Sequence, residues 1–159
     1  MIPGVMVSFL GRASVAVAST RDERLVPRVH FLSGWSVDPD SESVTCLVPA
    51  AFTDGLDETL ESRGEFALTA EVIGPHETYQ FKGGLVEARP AGAADRAVYE
   101  ACRRRFVEAV MHHLPGRFTE EMLLARMREP ALAARFTVRE IFIQTPGPAA
   151  GRRLFPPEP

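Results

Sequence analysis

The sequence predicts a mainly β protein: a small closed or nearly closed antiparallel barrel with short helices inserted and appended. Three observations carry that expectation. Short β-rich stretches separated by turn residues fill the first half of the chain. The apolar spacing changes to a helical one at two places, a short one around Leu56 and Leu60 and a long one over residues 95–114. A last β-rich stretch, 136–145, returns after the helices.

The elements follow in order. "ASVAVAST" (13–20) is β-rich and small on both faces, and "RDER" behind it is a polar turn. "LVPRVHFLSGWSV" (25–37) sets Arg28 and His30 against Val29 and Phe31, as a half-buried strand does. "DPDSES" (38–43) turns the chain back into the strand "SVTCLVP" (43–49). In "GLDETLESRGEF", Leu56 and Leu60 sit four apart among carboxylates and Gly64 is placed to end a helix. "FALTAEVIG" (66–74) and "TYQFKGGLVEA" (78–88) form a hairpin across "PHE". In the second strand Tyr79 and Phe81 face the core while Gln80 and Lys82 face outward, and Gly83-Gly84 lets the strand bend or another backbone approach.

Over residues 95–114, Val98, Cys102, Phe106, Ala109, Val110 and Leu114 make one stripe, and Pro115-Gly116 stops the helix. Thr119 caps a second helix whose first turn carries Glu120 and Glu121, a favourable place for negative charge. The whole reads as one domain over residues 1–151, with a helical insertion at about 95–128, a final strand at about 136–145 and an extended or frayed tail over 152–159.

Composition narrows the function classes. A chain of 159 residues with 45% hydrophobic and 25% charged residues can bury a real core. A net charge of -3 provides no general attraction to nucleic acid or to an anionic membrane. Apolar runs such as Val15–Ala18 are far too short to span a bilayer, and no basic region precedes the apolar N-terminus. Two cysteines are too few for a disulfide framework, so a cytoplasmic protein with reduced thiols is expected. His112 and His113 point about 100° apart on a helix and cannot chelate one metal together, and no metal site is expected. "RRR" (103–105) is a solvated helix face, and Cys46 is a buried, inert thiol. No Ser-His-Asp order, phosphate-binding glycine loop or CxxC pair is present, so any enzymatic chemistry belongs to a bound cofactor.

Three segments, in this order and spacing, give the chain a family likeness: "VPRVHF" (26–31), "VTCLVPAAFTDGLDETLESRGEFAL" (44–68) and "TYQFKGGLVEARP" (78–90). Together with the ending "FTVREIFIQTPGPAAG" (136–151), they resemble the FMN-binding split-barrel superfamily typified by pyridoxamine 5'-phosphate oxidase. The likeness covers about residues 10–151. It implies a six-stranded antiparallel split barrel of Greek-key type that forms a homodimer, with FMN sites at the subunit interface. It also implies oxidoreductase activity on a small-molecule substrate. A deazaflavin or haem in place of FMN is left open. The alternative is a split barrel without flavin, serving as a small-ligand-binding or structural dimer.

In flavin-binding members the phosphate is held where the third strand passes into the short helix, by Arg, Lys, Ser or Thr side chains with backbone N–H groups. The matching stretch is "VPAAFTDGLDE". The resemblance thereby implies Thr53 as a hydroxyl donor, and Pro49, Ala50 and Ala51 as lining for a flavin ring edge. The basic residues of the family are missing there, and Asp54, Asp57 and Glu58 stand nearby, which repels a phosphate dianion unless they point away. Arg28, Lys82 and Arg63 are the candidates to compensate. Arg28 and Lys82 either contact ligand or sit on wet strand faces as partners of Glu71 and Glu87. Gln80 bonds either a ring edge or a neighbouring strand, and His30 is either a satisfied structural histidine or a functional one. Trp35 covers a ring or joins the dimer interface, the interface being the better fit for a lone Trp.

Overall fold

A computed structural model describes residues 1–21, 24–38, 40, 42–62 and 64–156. Helix α1 (Gly4–Arg12) precedes the strands β1 (Val15–Arg21), β2 (Pro27–Phe31), β3 (Gly34–Asp38) and β4 (Ser43–Pro49). A 3-10 turn (Ala50–Phe52) and α2 (Leu56–Glu61) lead into the hairpin of β5 (Glu65–Val72) and β6 (Glu77–Pro90). The helices α3 (Ala93–His113) and α4 (Glu120–Arg126) follow, then β7 (Pro130–Ile143) and the short β8 (Arg153–Phe155).

Neighbouring strands run β2-β1-β5-β6-β7-β4-β3, all antiparallel, with β8 beside β7. The two edges of this sheet, β2 and β3, are consecutive in sequence. The single strand expected over residues 25–37 is therefore broken at Leu32-Ser33, and its halves lie at opposite edges of the sheet. Local partners explain the break. The Ser33 amide donates to the Leu47 carbonyl (2.8 Å) and its hydroxyl to the Arg128 carbonyl (2.5 Å). Helix α3 presses so closely that a Cβ on Gly34 would stand 3.2 Å from the Cys102 sulfur. With β2 and β3 taken as one bent strand and β8 set aside, the barrel has the six strands that the resemblance implies.

The barrel interior is filled. Phe66 and Phe136 meet at 4.8 Å between ring centroids, and Leu68, Phe81, Leu85, Val44, Val138 and Ile141 are all buried with them. Helix α1, to which the sequence reading assigned no element, adds Met6, Phe9 and Leu10 to the same core. Phe9 lies 6.3 Å from Phe81 and edge-on to Tyr79 at 4.7 Å. The i, i+3, i+4 spacing of these three residues is the signal that could have found the helix. Its two glycines and two valines are poor helix formers, so packing rather than propensity holds it.

Helix α3 starts on a cap built by Asp95. Its carboxylate accepts from the Gly92 amide (2.7 Å) and from both ends of the Arg89 guanidinium (2.6 and 3.0 Å). That arginine holds the Asp95 carboxyl below the usual range. The Thr119 hydroxyl caps α4 by accepting from the Met122 amide at 3.2 Å. Strand β7 begins at Pro130, six residues before the expected start, because Leu132 to Arg135 pair with both β4 and β6. The expected tail contains β8, where Arg153 and Phe155 pair with Phe142 and Ile141. Residues 157–159 lie outside the described residues.

The two glycines of β6 differ in role. The ladder between β6 and β7 slips beside Lys82 and Gly83, and a Cβ on Gly83 would fall on the backbone carbonyl of Thr137. On Gly84 it would meet only the Arg139 guanidinium, at 3.8 Å. Gly83→Ala is therefore expected to destabilise by about 1–3 kcal/mol, as overpacking against backbone does. Gly84→Ala is expected to stay within about 0.5 kcal/mol of the parent. Urea unfolding of both variants checks the pair, and equal effects would refute the assignment.

Candidate functional site

Strand β2 presents its polar face inward, the reverse of the expected half-buried strand. Val29 and Phe31 are 57% and 55% exposed, while His30 is 1% exposed. The reason lies in the segment from the 3-10 turn to α2, which crosses this face and supplies partners for both polar side chains. Arg28 donates from Nη1 to Asp54 Oδ2 (2.8 Å) and from Nη2 to Glu58 Oε2 (3.1 Å). Gly55 makes room for it: its φ of 77° lies in the left-handed region, and a Cβ there would collide with the guanidinium.

His30 is satisfied at both nitrogens. Nδ1 lies 2.6 Å from the Phe52 carbonyl and Nε2 lies 2.9 Å from the Thr20 hydroxyl. A carbonyl only accepts, so Nδ1 carries the proton and Nε2 accepts from Thr20. Burial is the main force pushing the His30 pKa below its ordinary value, aided by the Arg28 charge and opposed by the Phe52 carbonyl and Asp54. A neutral ring pinned in this way ties β2 to the 3-10 turn.

The remaining predicted residues divide between two places. Pro49 ends β4, Ala50 is exposed on the 3-10 turn, and the Thr53 hydroxyl donates back to the Ala50 carbonyl at 3.1 Å. Thr53 sits in sequence between Phe52 and Asp54, the partners of His30 and Arg28. Gln80 and Lys82 lie on β6, which β5 and β1 separate from β2. The Gln80 amide donates across the strands to the Thr69 hydroxyl (3.2 Å), and the Lys82 ammonium sits 4.4 Å from the centroid of the Phe142 ring. Lys82 lines an open groove of about 400 Å³ together with Ser19, Arg21, Pro27 and Glu65. The suggested partners are taken elsewhere, since Glu71 pairs with His76 and Glu87 with Arg135. Arg63 lies outside the described residues.

A larger groove of about 510 Å³ opens where β1, the β2–β3 bend, the 3-10 turn and the α3–α4 helices meet. Phe31, Trp35, Phe52, Phe106 and Met127 line it, with Arg126 and Arg128 at its exposed edge. Phe31 and Phe52 touch edge-on, 5.1 Å between centroids. Phe31, Phe52 and Phe106 are the lining that sequence reading missed as a group, because three distant segments supply them. Trp35 is 6% exposed rather than available to a partner surface: its indole N–H donates to the Leu10 carbonyl (2.9 Å) under α1.

The basic run on α3 also departs from a solvated face. Arg105 donates to the Ala13 carbonyl (2.6 Å) and the Gly11 carbonyl (2.8 Å), and lies 5.4 Å from the Trp35 ring. It thereby closes the C-terminal end of α1, where carbonyls lack helical partners and positive charge is favoured. Burial drives the Cys46 thiol far above its ordinary pKa, as an inert core residue requires. Among the described residues no His, Cys, Asp and Glu cluster could hold a metal ion, and no helix is long and apolar enough to cross a membrane.

No family model and no curated protein matches the sequence. Solved structures do match in fold. HupZ of Group A Streptococcus is 18% identical, with 95% of this chain and 100% of that one covered at a TM-score of 0.54. A candidate pyridoxamine 5'-phosphate oxidase of Lactobacillus delbrueckii is 15% identical over 89% and 93% of the two chains, at 0.51. HutZ, the heme storage protein from Vibrio cholerae, is more distant: 10% identical over 89% and 94%, at 0.46. The chain thus shares its fold, a pyridoxamine 5'-phosphate oxidase-like split barrel, with these structures.

The residues fit one half of an FMN molecule and not the other. The aromatic groove suits a planar ring. At the matching phosphate position, the Arg28 guanidinium already serves two carboxylates and the Thr53 hydroxyl is bonded to its own turn.

His30 makes a pH dependence testable. Its folded pKa lies below the ordinary 6.5, so the unfolded chain takes up the proton first as pH falls. The stability from neutral His30 is full above 6.5 and is lost as pH drops toward the folded value. Unfolding free energies at about pH 8 and about pH 5 are expected to differ more in the parent than in His30→Gln. Equal pH slopes in the two proteins would remove His30 as the source.

Proposed function

We propose that this chain is a ligand-binding split barrel whose ligand is a planar aromatic small molecule of the flavin class, held in the groove at the β2–β3 bend. The observation that carries the reading is the lining of that groove, where Phe31, Trp35, Phe52 and Phe106 converge on about 510 Å³ of space. The filled barrel interior supports it, since a barrel of this size leaves no internal room and a ligand must lie outside. The fold shared with a candidate pyridoxamine 5'-phosphate oxidase supports the flavin class. Redox chemistry on a small molecule, as an FMN-dependent oxidoreductase performs it, would belong to the bound ring. The chain's own part is to bind, orient and shield it. A homodimer belongs to this reading: exposed Val29 and Phe31 form an apolar strip on β2 beside the groove.

Fluorescence titration of the purified protein with riboflavin, FMN and haem tests the ligand. Saturable binding of a flavin that Phe52→Ala weakens by about tenfold, roughly 1.4 kcal/mol, is expected. Binding of haem alone would replace the ligand class, and no binding at all would leave the barrel as a structural protein.

The dimer has its own measurement. Sedimentation is expected to give a dimer for the parent and a monomer for the double variant Val29→Glu/Phe31→Glu, since paired like charges and lost apolar area oppose the same interface. A parent that sediments as a monomer would refute it.

A further inference from the structure

We infer that Asp54 and Glu58 fill, from within the chain, the anion place that Arg28 would offer a ligand's phosphate, so that this corner selects against phosphorylated ligands. Arg28 leaves β2 on the face covered by the segment that follows β4 and is only 27% exposed. One end of its guanidinium is taken by Asp54 at 2.8 Å and the other by Glu58 at 3.1 Å. Gly55 lies between them in sequence, and only a residue without a side chain allows the guanidinium to lie against the loop. The arrangement spends both ends of the Arg28 guanidinium on carboxylates.

A phosphate arriving here would have to compete with two carboxylates tethered four residues apart, on the turn before α2 and on α2 itself. It would also sit beside them at a few ångströms, where like charges repel. The Thr53 hydroxyl offers no compensation while it is bonded to the Ala50 carbonyl. His30, the nearest other polar side chain on the β2 face, has its donor on the Phe52 carbonyl. In the flavin class this corner therefore favours riboflavin over FMN for a ligand whose phosphate points at Arg28 rather than at the Arg126 and Arg128 edge of the groove. That last step rests on the reading proposed above; the exclusion of phosphate at Arg28 does not.

The test uses inorganic phosphate as its first probe. Phosphorus NMR titration of the parent is expected to show no saturable, Arg28-dependent binding. The double variant Asp54→Asn/Glu58→Gln keeps side-chain size, frees Arg28, and is expected to bind phosphate. A further Arg28→Gln change should abolish that binding. FMN affinity should rise about tenfold in the double variant. Phosphate binding by the parent that Arg28→Gln removes would overturn the inference, as would a folded double variant that still binds none. If the double variant loses its fold, Asp54→Asn alone serves, since that side chain is 93% exposed. Phosphate binding by the freed variant with no flavin bound to either protein would uphold the corner and overturn the flavin reading instead.

Discussion

The structure depends on a bend. Strands β2 and β3 are one stretch of chain turned at Leu32-Ser33, so the two edges of the sheet are held together by covalent backbone rather than by a ladder of hydrogen bonds. The bend needs its own anchors, and Ser33 provides them by bonding to Leu47 and Arg128 on two other parts of the fold. Breaking the ladder there leaves a recess. The 3-10 turn and the α3–α4 helices close over it from either side without filling it, which is why a groove of about 510 Å³ is found beside the bend. A packed interior and an interrupted seam together send any ligand to the outside of the barrel.

Two arginines show how similar side chains settle into different work. Arg105 meets backbone carbonyls at the end of α1 and an aromatic ring, neutral partners that a guanidinium can serve without a counter-charge. Arg28 meets two carboxylates and becomes part of a closed charge set. Both carboxylates are largely exposed, so the pairing contributes little to stability. Its consequence lies in recognition. A cation already bonded to the chain's own carboxylates meets a ligand's anion only in competition with them.

Much of the fold was legible in the sequence because its signals are local. The hairpin of β5 and β6 follows from alternation across "PHE", and the Thr119 cap from a hydroxyl ahead of two glutamates. Helix α1 was not legible in practice, since valines and glycines hid a stripe of only Met6, Phe9 and Leu10. The early start of β7 was hidden as well: "PALAAR" is small and helix-prone by itself, and two neighbouring strands impose extension on it. Of the residues singled out in the sequence, Arg28 and His30 bond the Phe52–Asp54 stretch that contains Thr53, whereas Gln80 and Lys82 answer to the outer face of β6.

The sequence by itself determined the strand periods, the positions of the turns and helices in the second half, and the shortage of basic residues around Thr53, because each is a property of neighbours along the chain. The tertiary structure alone decided which face of β2 is covered. Alternation says only that Arg28 and His30 share a side. It cannot say which side is inside until the segment from Ala50 to Glu58 folds across it with a carbonyl and two carboxylates. Burial of the polar face is favourable only because those partners arrive from more than twenty residues away, and hydrogen bonding at that range leaves no periodic mark in a sequence.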